Sequence, residues 1–168
     1  MRILAIDPGN ETSAWVEYDM KDRVLLGFGM AANDQVLGLI GKTRAHYLAV
    51  EMVASYGMAV GRTVFETCVW VGRFVQMWRM SFGATNEHFV YRQDVKMHLC
   101  HSMRAKDANI RQAIIDRYPA TGGGKIRQIG TKKSPGPLYG VSKDVWSALA
   151  VAITWAETQA NELEVDNG

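Results

Sequence analysis

Two short apolar segments near the start of the chain each end in an acidic residue. Residues 2–7 have the sequence Arg-Ile-Leu-Ala-Ile-Asp and are followed by Pro8 and Gly9, a pair that favours a turn. Residues 46–51 form a second apolar segment, which ends in Glu51. Apolar runs of this length, bounded by turn signals, are typical of buried strands. The pattern therefore predicts two central strands of a sheet, each with a carboxylate at its end.

The rest of the chain predicts an α/β architecture around these two strands. Residues 14–19 and 24–30 are rich in β-forming residues and, together with residues 2–7, predict three antiparallel strands. Residues 87–91 predict a fifth strand. Helices are predicted over residues 33–44, 62–80, 93–103, 106–118 and 142–161, with Asn33 and Ser142 as N-caps. We expect a mixed five-stranded sheet, three antiparallel strands followed by two parallel ones, flanked by helices.

Length and composition favour one domain. The 168 residues are 48% apolar and 21% charged, which is ordinary for a globular chain. We expect a single domain over residues 1–160, followed by a disordered acidic tail over residues 161–168. Cys68 and Cys100 are too few for a disulfide framework and indicate reduced thiols. Without a signal-peptide pattern or an apolar run of membrane-spanning length, the sequence predicts a cytoplasmic protein.

Basic residues are in surplus outside the C-terminal tail. Four of the 17 acidic side chains and none of the 19 basic ones lie beyond residue 155. Such a surplus suits a phosphate-rich partner. The long irregular segment over residues 119–140, of a kind that is usually functional or disordered, contains four bases and no acid: Lys125, Arg127, Lys132 and Lys133. A solvated basic surface is the alternative interpretation.

Three acidic residues stand where carboxylates can converge. Asp7 and Glu51 end predicted strands, and Asp144 lies in the first turn of the last predicted helix. Strand ends at one edge of an open α/β sheet lie close together. Magnesium prefers oxygen ligands, and two such ions can activate a water and stabilise the leaving oxygen of a phosphodiester. Spacing alone leaves open that these acids are only solvated or salt-bridged.

Five segments, taken in order, resemble RuvC-type Holliday junction resolvases. They are residues 3–9 (Ile-Leu-Ala-Ile-Asp-Pro-Gly), 50–53 (Val-Glu-Met-Val), 92–96 (Arg-Gln-Asp-Val-Lys), 105–107 (Ala-Lys-Asp) and 144–154 (Asp-Val-Trp-Ser-Ala-Leu-Ala-Val-Ala-Ile-Thr). The third segment has one residue more than the family's Arg-Gln-Val-Lys. Phage-encoded members are the most similar, through residues 55–58 (Ser-Tyr-Gly-Met) and 135–140 (Pro-Gly-Pro-Leu-Tyr-Gly).

The resemblance implies a ribonuclease H-like fold, a homodimer and a structure-selective endonuclease that cleaves four-way and related branched DNA. The family binds two magnesium or manganese ions through four acids. Matched residue by residue, three of these acids are Asp7, Glu51 and Asp144, which are the expected metal ligands and catalytic residues.

One position departs from the family pattern. The fourth acid should lie three residues after Asp144, on the same face of the helix, and this chain has Ser147 there. A neutral hydroxyl is a poor ligand, so one metal is expected to be held weakly. Glu66 and Asp94 are the candidates to replace the missing carboxylate.

Lysines are the expected DNA contacts. The resemblance assigns Lys96 and Lys106 to the scissile region and the DNA backbone, with Lys96 among the catalytic residues. A lysine beside a metal site can stabilise charge on the phosphorus oxygens, and Lys143 is a second candidate for this role. Lys132 and Lys133 would neutralise phosphates from the irregular segment. For each lysine, a solvated surface position is the alternative.

The helix predicted over residues 62–80 is apolar nearly all the way round. Two lines of residues run along it: Trp70, Phe74 and Trp78 on one, and Val64, Val71 and Val75 on the other. One sheet can bury only one face of a helix. We therefore expect the aromatic line to pack against a second copy in a homodimer. The alternative is that the helices over residues 93–118 cover it.

Two other functions share part of this pattern. Actin-like and sugar-kinase ATPases also begin with a strand and Asp-x-Gly, but they need two such domains, which 168 residues cannot hold. A relative that binds junctions without cutting them stays open as the alternative function. Magnesium-dependent cleavage of a synthetic junction separates the two.

Overall fold

The computed structural model contains a mixed five-stranded sheet with five helices around it. It describes residues 1–55, 57, 59–83 and 86–165. The strands are β1 (Arg2–Asp7), β2 (Thr12–Asp19), β3 (Val24–Ala32), β4 (Tyr47–Met52) and β5 (Glu87–Tyr91). The helices are α1 (Asn33–Ile40), α2 (Arg62–Phe82), α3 (Arg92–Cys100), α4 (Asp107–Ile115) and α5 (Val145–Val165).

The strand order is β3-β2-β1-β4-β5. The first three strands in chain order pair antiparallel, and β4 pairs parallel with both β1 and β5. This confirms the predicted order of three antiparallel strands followed by two parallel ones. In the parallel pair of β1 and β4, Ile6 lies opposite Val50. The next residues, Asp7 and Glu51, are therefore side by side at the same edge of the sheet.

The sheet has an apolar core on each face. Alternate residues of β1 divide between them: Ile3 and Ala5 face α5, and Leu4 and Ile6 face α1 and α2. All four side chains are fully buried, as the period-two alternation of a central strand requires. The helix α5 reaches the sheet through small buried residues, Ala148, Ala150 and Ala152 among them.

The prediction for the faces of α2 was wrong. Phe74 and Trp78, expected to point away from the sheet, are buried together with Val71 and Val75 in the second core. The buried face is wide enough to hold both lines because α1 packs beside α2 on the sheet. The exposed apolar side chains of α2 lie on a different stripe, which includes Phe65, Val69 and Met80.

Several predicted helix boundaries move by a few residues. The helix α1 ends at Ile40 instead of near residue 44, with Gly41 as its C-cap. The last helix begins at Val145, so Ser142 is not its N-cap, and it continues to Val165. Of the predicted acidic tail, residues 166–168 lie outside the described residues, as do Tyr56 and Met58 of the segment similar to phage members. None of the described helices is long and apolar enough to cross a membrane.

Candidate active site

The site is built on a pair of carboxyl groups at the edge of the sheet. Asp7 is the last residue of β1, and Glu51 is the last but one of β4. Both side chains are partly buried and line a cavity of about 220 Å³. The two carboxyl groups are close enough for each to shift the pKa of the other. The structure therefore brings two predicted site residues together.

A buried polar network fixes the chain where it leaves β1. Asn33, at the start of α1, donates through Nδ2 to the backbone oxygen of Gly9 at 2.9 Å. It also accepts a bond of 2.7 Å from the hydroxyl of Ser13. A Cβ atom at Gly9 would lie 2.3 Å from the backbone oxygen of Thr12, so only glycine fits this turn. The turn after Asp7 is therefore held rigidly from α1, a role of Asn33 different from the predicted N-cap.

Asp144 lies beside this pair but in a different local structure from the one predicted. It precedes α5 instead of forming part of its first turn, and its backbone oxygen accepts bonds from the amides of Ser147 at 2.9 Å and Ala148 at 3.0 Å. The preceding residue, Lys143, has a left-handed backbone with a φ of 48°. Asp144 is exposed, and its charge is near enough to raise the pKa of Asp7.

Arg92 is a site residue that the sequence analysis did not select. It begins α3 directly after β5, at the same edge of the sheet as the acid pair. Its guanidinium lies 3.7 Å from the Glu51 carboxylate and is paired with Asp107 at the start of α4. Its Nη1 atom also donates to the Ser147 hydroxyl at 3.5 Å. Its position immediately after the third parallel strand was the signal that could have found it.

The electrostatics of the site are dominated by buried negative charge. Burial, followed by repulsion from Glu51 and Asp144, raises the pKa of Asp7 to about 8. Burial also raises the pKa of Glu51, although Arg92 works in the opposite direction. At neutral pH the pair therefore retains a proton that a bound cation would displace.

The donor set fits a hard divalent cation in part. Carboxylate oxygens are the ligands that magnesium and manganese prefer, and the acid pair supplies them. Within the described residues, however, no three His, Cys, Asp or Glu side chains are close enough together to hold a metal ion. The structure thus provides a carboxyl pair with Asp144 near it, not a closed set of three ligands.

Ser147 occupies the position expected to carry a fourth carboxylate, and it lies next to the pair of Asp7 and Glu51. The Ser147 hydroxyl lies near enough to Asp7 to lower the pKa of that carboxyl group. The two candidates to replace that carboxylate have other partners. Glu66 is bonded to Arg62 at 2.6 Å and to Asn10 at 3.4 Å, and Asp94 accepts from the backbone amide of Tyr91 at 3.2 Å.

Of the predicted lysines, Lys143 lines a second cavity, Lys96 and Lys106 lie on or beside the helices α3 and α4, and two more lie on a separate loop. This cavity, of about 490 Å³, is lined by Arg92, Arg111, Lys143 and Asp144, among others. Lys96 is half-buried one helical turn after Arg92, on the same face of α3. Lys106 is exposed and directly precedes Asp107.

The segment over residues 119–140 is an ordered loop held together by backbone contacts. A Cβ atom at Gly130 or Gly136 would lie 2.3–2.4 Å from backbone atoms of the same loop, so the glycines are required for its compact path. Thr131 and Ser134 exchange backbone hydrogen bonds of 2.9 and 3.1 Å. These bonds close a tight turn with Lys132 and Lys133 exposed at its tip.

Comparison with known proteins places this geometry in a known fold. No family model and no curated protein sequence matches the chain. Among solved structures, it is similar to RuvC of Thermus thermophilus, with a TM-score of 0.67, 15% identity, and coverage of 96% of this chain and 97% of that one. The fold is RuvC-like. The structure of T. thermophilus RuvC in complex with a Holliday junction substrate gives a TM-score of 0.66 at 18% identity, covering 95% of this chain and 94% of that one. The predicted ribonuclease H-like fold is confirmed.

The raised pKa of Asp7 predicts a pH-dependent stability in the absence of metal. Its value of about 8, against 3.8 for a free side chain, means that the folded chain holds a proton which the unfolded chain has released. This contribution to stability is complete below about pH 4 and is lost as the pH rises through about 8. Asp7→Asn, which is neutral at every pH, should therefore raise the Tm at pH 8 in EDTA.

Thermal unfolding of the two proteins between pH 5 and pH 8 measures this difference. Asp34→Asn, on the exposed side of α1, is the control and should follow the wild type. An Asp7→Asn variant whose Tm falls as steeply with pH as that of the wild type would contradict the assignment.

Proposed function

We propose that the chain is a divalent-metal-dependent endonuclease that cleaves four-way and related branched DNA. The observation that carries the proposal is the pair of carboxyl groups of Asp7 and Glu51, which line one cavity at the edge of a RuvC-like sheet with Asp144 beside them. Buried like charges are costly to maintain without a counter-ion. A bound divalent cation would offset that cost once the proton that the pair retains at neutral pH is released.

The residues around the pair suit phosphodiester hydrolysis. Asp7 and Glu51 would hold the cation, releasing their shared proton, and Asp144 would add an oxygen from the open side. When bound, a divalent ion lowers the pKa of a water molecule and polarises the scissile phosphate. Lys96 and Lys143 would stabilise the negative charge that develops on the phosphorus oxygens. Attack by water on the phosphorus leaves 5′-phosphate and 3′-hydroxyl ends.

Branched DNA is the proposed substrate because of the fold and of the charge around the site. The solved structure of T. thermophilus RuvC holds a Holliday junction substrate, and its fold matches this chain over nearly its whole length. In this chain, Arg111 and Lys143 line the larger cavity beside the acids. Such cations would neutralise DNA phosphates on either side of the cleaved bond.

The acids give the most direct test of the proposal. Asp7→Asn, Glu51→Gln and Asp144→Asn should each reduce magnesium-dependent cleavage of a synthetic four-way junction by more than about 100-fold, since loss of even an outer partner of a metal ligand can cost that much. Junction binding in EDTA should be retained, because these residues hold metal and not DNA. Asp34→Asn serves again as the control. Near-normal turnover of any one variant removes that residue from the site.

A junction-binding protein without nuclease activity is the second candidate function. Two observations favour it: the described residues contain no closed group of three metal-ligating side chains, and Ser147 stands in place of an acid. The same cleavage assay separates the two functions. A wild-type protein that binds the junction and leaves it intact in both magnesium and manganese would establish the second.

The tip of the ordered loop is a proposed DNA contact. Lys132 and Lys133 are exposed on a turn closed by Thr131 and Ser134. Because the loop is already ordered, little conformational entropy is lost when these lysines meet phosphates.

Replacing Lys132 and Lys133 by alanine should weaken junction binding at every salt concentration. The plot of log affinity against log salt should become shallower by roughly one unit for each lost phosphate contact. Lys21→Ala is the matched control, since Lys21 follows the far end of β2 from the acid pair. An unchanged slope would mean that this turn points away from the DNA.

Dimerisation through α2 is proposed on a different surface from the one predicted. The exposed stripe of α2 contains Phe65, Val69 and Met80, which are 61%, 58% and 73% exposed. Exposed apolar side chains aligned along one helix mark a contact surface. A two-fold contact between two copies would cover them and set the two sites at a fixed separation.

Sedimentation at micromolar concentration should show a dimer for the wild type. Phe65→Glu should convert it to a folded monomer, because a carboxylate buried in an apolar contact remains without a partner. Arg104→Glu, on an exposed residue between α3 and α4, should leave the mass unchanged. A monomeric wild type would rule the contact out.

A further inference from the structure

Arg92 lies within the acid cluster instead of on the surface around it. Its side chain is 24% exposed, and its guanidinium is 3.7 Å from the Glu51 carboxylate and 3.5 Å from the Ser147 hydroxyl. That hydroxyl in turn lies near Asp7, whose pKa it lowers. A fixed positive charge therefore occupies the side of the acid pair that faces α5.

The cluster carries enough negative charge for one divalent cation. Asp7, Glu51 and Asp144 supply three carboxylates, and the guanidinium of Arg92 offsets one of them. The remaining two negative charges match a single divalent ion. Asp107, the other partner of Arg92, has a side chain that is 86% exposed. Water therefore weakens the effect of its charge on the site, although that charge still raises the pKa of Glu51.

The ligands on the α5 side also argue against a second ion. Ser147 offers a neutral hydroxyl there, and a divalent ion next to it would face the guanidinium of Arg92 at close range. Like charges at such a distance repel strongly in a partly buried site. Among the described residues, no three His, Cys, Asp or Glu side chains form a closed set of ligands. The few carboxylates near Asp7 are therefore too few to be divided between two neighbouring ions.

We propose that each protomer binds one divalent cation and that Arg92 supplies the second positive charge of the site. The inference rests on the proposed nuclease function. Arg92 lines both the small cavity of the acid pair and the larger one that contains Lys143 and Asp144. Its planar guanidinium has five donors, and its contacts to Glu51 and Ser147 are long, so donors remain for an oxygen of the scissile phosphate.

Manganese binding tests the stoichiometry without relying on activity. Calorimetry and EPR on the full chain, alone and mixed with a four-way junction and frozen before turnover, should show one Mn²⁺ per protomer with the spectrum of an isolated ion. Ser147→Asp with Arg92→Gln should bind two, because a carboxylate then replaces the cation. Ser147→Asp alone should still bind one, since Arg92 would pair with the new acid. Two Mn²⁺ ions in the wild type, or an exchange-coupled spectrum, would overturn the proposal.

The single variant Arg92→Gln distinguishes a chemical role from a structural one. Mn²⁺ should bind more tightly, because a neighbouring positive charge is gone, while cleavage should fall by about 10²–10³-fold, as when one donor to a developing oxyanion is removed. Arg92→Lys should recover part of the cleavage. Arg104→Gln, in the exposed turn before α4, should change neither quantity. A variant that loses metal affinity and cleavage together would show that Arg92 only supports the fold of the site.

The same measurements separate this inference from the proposed function. One bound Mn²⁺ without cleavage of any branched DNA would refute the nuclease and leave the stoichiometry intact. No bound Mn²⁺ at all would refute both. Two bound Mn²⁺ with active cleavage would refute this inference alone.

Discussion

The parallel pairing of β1 with β4 is the constraint on which the rest of the site depends. It brings Asp7 and Glu51 out of the sheet side by side, in a place that solvent only partly reaches. Burial in this place, followed by repulsion from the neighbouring carboxyl groups, raises the pKa of Asp7. The free energy for holding them together comes from the two apolar cores that bury both faces of β1.

The helix α5 packs on the sheet along most of its length and places residues of its first turn beside the acid pair. Its alanines allow the helix to pack closely on the sheet, and Leu149 and Ile153 fill the space between. That packing fixes the position and rotation of α5 on the sheet. As a result, both Ser147 and Asp144 lie near Asp7. A shift of α5 by one residue would turn both side chains away from the site.

The positive charge of the site comes from residues that follow β5 in the chain, above all Arg92 at the start of α3. Arg92 connects Glu51, Asp107 and Ser147, and so ties the ends of β4, α4 and α5 to the start of α3. A guanidinium suits this position because its planar set of donors can serve several oxygens at once. The result is a cluster with charges of both signs, whose open side faces the cavity that contains Arg111 and Lys143.

The identity and order of the strands could be predicted from the sequence because each is a short apolar run with clear turn signals. The positions of Asp7 and Glu51 followed from strand order, since parallel neighbours end at the same edge. Long-range packing could not be predicted in the same way. Phe74 and Trp78 of one apolar line of α2 are buried together with Val71 and Val75 of the other, because α1 lies beside the helix. The pattern of α2 alone contains no information about that neighbour.

By itself, then, the sequence determined the α/β class, the strand order and the two carboxylates at strand ends, because these depend on residues close together in the chain. Only the tertiary structure decided that Arg92 joins the acids, that Ser147 lies next to Asp7 and that Asn33 holds the turn after β1. These contacts join residues 24 to 140 positions apart. Their existence depends on how the helices pack on the sheet, and no local pattern encodes that packing.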